Sequence, residues 1–170
     1  ATDLPTMVYD VPVRTGRRVS ADVLLRLFTE VPNIVAFKDA TGDPPAAMAL
    51  VAQAGQHFDL YSGDDPYTLP LLACGAVGVV GTSTHWTGPQ FQQMFAAFHA
   101  GDVAKARAIH ASLLPSFAFL NSEDCVFSMS IKAMLNSQGH AVGDCRLPLP
   151  PPPPEKAAQA RAVWQQLQAI

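Results

Sequence analysis

A repeat sets the outer limits on what this chain can fold into. Four times between Met7 and Thr82 an apolar run gives way to a loop and then to a stretch with helical periodicity. The runs are Met7-Val8-Tyr9, Ile34 to Phe37, Phe58 to Tyr61 and Val77 to Thr82, spaced roughly 20 to 27 residues apart. Strand and helix alternating at that spacing mark consecutive βαβ units, and connections of that length join parallel strands. Ile34 to Phe37 shows no polar alternation, the pattern of a strand buried on both faces.

The helices between these runs announce their own ends. Ser20 is a good N-cap for a helix bearing Val23, Leu24, Leu27 and Phe28, and Pro32-Asn33 closes it. Asp43 and Pro44 read as N-cap and first residue of a helix through Ala46 to Ala54, with Gly55 past its end. Pro12 and Gly16 predict a loop after the first strand. Pro66 opens a short helix that reaches Cys74, and Asp64 and Asp65 read as caps for it sooner than as an acid and a base.

After Thr87-Gly88-Pro89 the chain becomes helical only, over Phe91 to His99, Val103 to about Leu120 and Val126 to Asn136. Asp102 caps the second of these, and Pro115 is expected to kink or break it. Leu147 to Pro154 carries six prolines in eight residues, a stiff extended strap leading to a last helix from Glu155 to Ala169. The expected division is therefore residues 1–88 and residues 89–170, with the strap at 147–154.

Composition removes several function classes. With 170 residues, 49% of them hydrophobic, and a net charge of −3, the chain can bury a core and has no basic footprint for nucleic acid. No apolar run of about 18 residues is present, so no membrane partner is expected. Cys74, Cys125 and Cys145 are odd in number and lack paired metal-ligand spacing, which fits free thiols in a reducing, cytoplasmic setting. The five histidines, His57, His85, His99, His110 and His140, are scattered, and none is assigned to chemistry or to a metal. Neither G-x-G-x-x-G nor G-x-x-x-x-G-K-[ST] occurs, which argues against a nucleotide fold. Four βα units also cannot close a barrel of eight. The chain starts on a loop that feeds a strand, and the expectation is the C-terminal part of a longer protein.

One residue stands out against this background. In V-A-F-K-D-A-T-G-D, Val35 to Asp43, the run ends in Lys38, at the C-terminal end of its strand, where α/β folds bind ligands and do chemistry. An ammonium half withdrawn from water has a lowered pKa, and the neutral amine can attack a carbonyl to form a Schiff base. The alternative is a lysine that marks the strand's exit and reaches out to solvent.

Y-D-V-P-V-R-T-G (Tyr9 to Gly16), N-I-V-A-F-K-D-A-T-G-D (Asn33 to Asp43), Y-S-G-D-D (Tyr61 to Asp65), G-A-V-G-V-V-G-T-S (Gly75 to Ser83) and G-D-C-R-L-P-L (Gly143 to Leu149) follow in order. Together they resemble the dihydrodipicolinate synthase family, within the pyruvate-dependent class I aldolases that also include N-acetylneuraminate lyase. The resemblance implies the C-terminal half, four βα units, of a TIM (β/α)8 barrel followed by a C-terminal α-helical domain. It implies condensation of pyruvate with aspartate semialdehyde, the first committed step of diaminopimelate and lysine biosynthesis. Lys38 matches the Schiff-base lysine, and Tyr9 the tyrosine that relays protons. Arg14 matches the arginine that holds the carboxylate of aspartate semialdehyde, and Gly63 and Val80 match positions lining the pyruvate pocket. No cofactor is implied beyond the covalent imine on Lys38, and the expected assembly is a homo-oligomer, commonly a tetramer.

Asp10 stands where asparagine is common in that family, Asp39 where glutamate is, and the proline run replaces a plainer linker. The barrel's first half is missing, and with it a threonine pair that binds the pyruvate carboxylate, a tyrosine given across a dimer interface, and most of the lysine feedback site. Two other readings remain in view: a different pyruvate-dependent aldolase acting on a sugar acid, and a non-catalytic half-barrel that acts only by association.

Overall fold

The structure, a computed structural model, describes residues 2–55 and 58–169. His57 lies outside the described residues. The chain divides into two compact units, one up to Gly81 and one from Thr82 onward.

In the first unit four strands, β1 (Thr6–Asp10), β2 (Ile34–Asp39), β3 (Asp59–Ser62) and β4 (Gly78–Val79), form one parallel sheet in the order β1-β2-β3-β4. The connections carry a helical turn α1 (Pro12–Thr15), then α2 (Ala21–Glu30), α3 (Pro44–Ala54), a 3-10 turn (Asp65–Tyr67) and α4 (Thr68–Ala73). The caps fall where side-chain chemistry places them. The Ser20 hydroxyl accepts from the Val23 amide, and Asp43 accepts from the Ala46 amide with Pro44 opening α3.

The core lies between helices and sheet: Leu24 and Phe28 of α2, Ala47 and Leu50 of α3 and Leu71 of α4 meet Phe37 and Leu60 of the strands. Phe28 stacks on Phe58 with ring centres 4.1 Å apart. Only one face of the sheet is sealed this way. On the other face Met7 and Tyr9 of β1 are 37% and 47% exposed, whereas β2 has a buried residue on each face, Phe37 toward the helices and Ala36 on the side of Lys38.

Three expectations are corrected. Residues 12–15 form a helical turn, not a loop, because Pro12 supplies the φ of a first helical residue and Gly16, at φ 77°, ends it. The fourth strand is only Gly78–Val79, since it pairs with β3 alone; Val77 and Val80 each give one amide bond to β3 without extending the ladder. The first helix of the second unit, α5, spans Thr84–His99 and runs through Pro89. Proline there removes a single amide bond near the helix start, a loss the 16-residue helix absorbs.

The second unit continues with α6 (Val103–Ser112), α7 (Leu114–Leu120), α8 (Phe127–Ser137) and α9 (Pro154–Gln168). Asp102 caps α6 by accepting from Lys105, and the expected break falls at Leu113, with Pro115 in the first turn of α7. Met94, Leu113 and Met134 are fully buried, and the Trp86 indole donates to the Ser116 hydroxyl at 3.1 Å. Lys156 of α9 is wholly buried. Its ammonium donates to the Phe119 carbonyl at 3.1 Å, to the Asp124 carboxylate at 2.9 Å and to the Ser122 hydroxyl, and lies 4.5 Å from the centre of the Phe119 ring.

Candidate active site

Strand register brings the central residues together. Tyr9 pairs with Lys38, Lys38 with Tyr61, and Tyr61 with Gly78, so one residue from each strand stands in a row near the C-terminal ends. Paired residues of a parallel sheet share a face, and this row lies opposite the one packed against the helices. Gly78 closes the row because a Cβ there would stand 3.1 Å from the Tyr61 ring.

Lys38 is half-buried, and its ammonium nitrogen lies 4.1 Å from the centre of the Tyr9 ring. Loss of hydration pushes its pKa down, against a smaller opposite pull from the Asp65 carboxylate. The Tyr9 phenol is pushed up, first by burial and then by the Asp64 carboxylate, while Arg14 pulls it the other way. Burial and the neighbouring Asp65 also raise the Asp64 carboxyl. The cluster thus holds an amine that loses its proton more easily than in water beside a phenol that keeps its own.

Gly63 lies directly against the lysine. A Cβ at Gly63 would come within 2.9 Å of Lys38 Cγ and 3.1 Å of Ala40 Cβ, and the Gly63 amide donates to the Asp39 carbonyl at 2.7 Å. Arg14 stands exposed in the last turn of α1, where its charge reaches the Tyr9 phenol. Val80 is not brought against Lys38 by the register. It follows β4, two strands away, donates its amide to the Ser62 carbonyl at 2.8 Å and is 42% exposed. Asp64 occupies the N-cap position of the 3-10 turn, but its side chain makes no capping bond, which corrects that expectation. Among the described residues no group of three His, Cys, Asp or Glu side chains is placed to hold a metal ion.

One level further along the strands lies a second row that the sequence reading passed over: Asp10, Asp39 and Ser62, paired in register and almost wholly buried. Each ties down the loop that follows its own strand. The Asp10 carboxylate accepts from the Val19 amide at 3.0 Å, the Asp39 carboxylate accepts from the Thr41 amide at 2.8 Å, and the Ser62 hydroxyl donates to the Asp64 carbonyl at 2.8 Å. The signal was present as a short polar residue ending each of three apolar strands.

The sequence matches the dihydrodipicolinate synthetase family over residues 1–167. It is 43% identical over 170 residues to the 4-hydroxy-tetrahydrodipicolinate synthase of Thermosynechococcus vestitus, covering 99% of this chain and 53% of that relative. The fold superposes with a TM-score of 0.92 and 35% identity on a dihydrodipicolinate synthase from Cyanidioschyzon merolae solved with lysine bound, covering 99% of this chain and 56% of that one. A chloride-inhibited dihydrodipicolinate synthase from Acinetobacter baumannii, complexed with pyruvate, gives a TM-score of 0.89 at 30% identity, covering 100% of this chain and 57% of that one. The chain therefore spans about half the length of the relatives it matches. With four parallel strands, an apolar helix layer on one face and a family match that runs almost from end to end, the chain belongs to the dihydrodipicolinate synthetase family.

Proposed function

We propose that this chain carries the imine-forming half of a 4-hydroxy-tetrahydrodipicolinate synthase, which condenses pyruvate with aspartate semialdehyde. The observation that supports it most is Lys38: in a chain of this family, an amine of lowered pKa stands at a strand's C-terminal end over a tyrosine ring. The neutral amine attacks the pyruvate ketone carbon, and loss of water leaves a protonated imine. The methyl carbon then gives up a proton, and the enamine attacks the semialdehyde carbon to form the new C–C bond. The amino group of the second substrate closes the ring on the imine carbon and releases Lys38. Tyr9 moves protons in these steps, donating and accepting at one position. Arg14 offers a planar fork for the second substrate's carboxylate. Gly63 leaves room for the lysine stem, and Val80 adds an apolar wall to the pyruvate pocket. The imine itself is the electron sink, so no cofactor enters the scheme.

In this reading the four strands are half of a β/α barrel and the second unit is the C-terminal helical domain. The partly open sheet face and the two unpaired strand edges need covering before the site is complete. The chain would then act within a longer polypeptide, in a cytoplasmic homo-oligomer such as a tetramer. A monomeric dihydrodipicolinate synthase variant, matched with a TM-score of 0.90, makes assembly a property to measure for each member.

The test is borohydride reduction of the full-length protein in the presence of pyruvate. The expected result is a mass increase on Lys38, together with product once aspartate semialdehyde is supplied. No adduct on Lys38 would remove every aldolase reading. An adduct without product would favour a related aldolase acting on a sugar acid.

A further inference from the structure

We infer that Arg18 is a positioning residue for the second substrate, holding the loop that carries Arg14 against the loop that follows Lys38. The inference rests on the reading of Arg14 as the carboxylate fork.

The helical turn α1, which bears Arg14, buries none of its residues. With no residue sealed from solvent, hydrogen bonds carry much of its positioning. Within the turn the Arg14 and Thr15 amides donate to the Val11 carbonyl, and the Thr15 hydroxyl donates to the Arg17 carbonyl at 2.8 Å, so the segment is folded on itself. Further ties to the sheet come just afterwards. One guanidinium nitrogen of Arg18 donates to the Asp43 carboxylate at 2.7 Å, and the other donates to the Thr41 carbonyl at 3.1 Å. Val19 adds its amide bond to the buried Asp10, whose own carbonyl accepts from Ala40. Asp10 and Asp39 also bear on the Arg18 charge, and Asp39 fixes Thr41 in turn.

The result is a bridge from the end of the Arg14 loop to residues 40–43, the segment immediately after Lys38. The loop read as holding the second substrate is thus tied to the segment that follows the strand of Lys38, by the Arg18 guanidinium and by the Asp10 bonds to Val19 and Ala40. A planar fork suits the task because its two donors are fixed relative to each other; a lysine would reach only one of the two acceptors at a time. Arg18 acts through Arg14 and so should affect where the second substrate's carboxylate is held, leaving imine formation alone.

The experiment measures the full-length protein as Arg18→Ala, Arg18→Lys and Asp43→Asn. Asp43 also caps α3, and asparagine keeps that cap while removing the charge. Arg18→Ala should raise KM for aspartate semialdehyde roughly three- to fivefold, as expected for an exposed pair. KM for pyruvate and the rate of borohydride trapping should stay within about twofold, since Arg14 is the least of the three influences on the Tyr9 phenol. Arg18→Lys should recover part of the loss, and Asp43→Asn combined with Arg18→Ala should be no worse than Arg18→Ala alone. An unchanged KM for the second substrate, or a trapping rate that falls with it, would overturn the inference. Arg14→Ala is the control: if it leaves that KM unchanged, the reading of Arg14 fails first, whereas a large effect there with none in Arg18→Ala defeats this inference alone.

Discussion

The stem of Lys38 runs where Gly63 has no side chain, and a Cβ added at Gly63 would stand 2.9 Å from Lys38 Cγ. The obstruction is to the middle of the lysine, not to its flexible end, and Ala40 and the Asp39 backbone crowd the same spot at 3.1 Å. Gly63→Ala should therefore displace the amine. The expected outcome is a loss of about 1–3 kcal/mol of stability from overpacking and a fall of roughly 100-fold in borohydride trapping, the scale of a misplacement near 1 Å. Denaturant titration and adduct mass spectrometry on the same sample would separate the two effects. Full trapping activity in Gly63→Ala would show that the contact is not needed.

Tyr9→Phe keeps the ring beneath the Lys38 ammonium and removes only the hydroxyl. The amine should keep its lowered pKa, because loss of hydration is the main cause, while turnover falls by about 100-fold or more through loss of proton transfer. A variant that turns over normally would take the relay away from Tyr9.

The pH dependence of trapping reports the Lys38 amine directly. Its folded pKa lies below the ordinary lysine value of about 10.4, so the trapping rate should rise with pH and level off before that value. Asp65 pulls the pKa upward, and Asp65→Asn should move the midpoint lower. Stability runs in the same direction. Between the folded and unfolded values the unfolded chain binds more protons, so this residue's contribution to folding improves as pH rises through that window. A midpoint at or above that of free lysine would contradict the burial.

In the second unit, Lys156→Met keeps the apolar stem and removes the donors. The Asp124 side chain, about one-third exposed, can turn to water, and the carbonyl of buried Phe119 keeps the Ser122 hydroxyl as a donor at 3.0 Å, so the loss is that of the charged donor's own bonds. A loss of about 1–3 kcal/mol is expected, seen as a lower denaturant midpoint. Unchanged stability would show that Lys156 contributes packing alone.

Local chemistry was legible wherever it determined local structure. Ser20, Asp43, Asp102 and Pro115 mark helix ends because their side chains or rings act on backbone within four residues. The position of Lys38 near the C-terminal end of β2 was legible from the apolar run before it. What sequence did not give is set by partners far along the chain. Lys156 looks like an ordinary helix-surface cation, and only bonds to residues 32 to 37 positions earlier make it a core residue. The shortness of β4 has the same origin, since it depends on a neighbouring strand that a local pattern does not contain.

The register that sets Tyr9, Lys38, Tyr61 and Gly78 side by side also governs how such a gene can change. One residue inserted between Ile34 and Phe37 would shift the downstream alternation by one place, sending Lys38 toward the apolar helix layer and another side chain into its position. An insertion in a helix-to-strand connection, such as residues 31–33 ahead of β2, leaves the alternation within each strand unchanged. Length variation that preserves chemistry is thus confined to the connections, and comparison of relatives should find their insertions and deletions between strands and almost never within them.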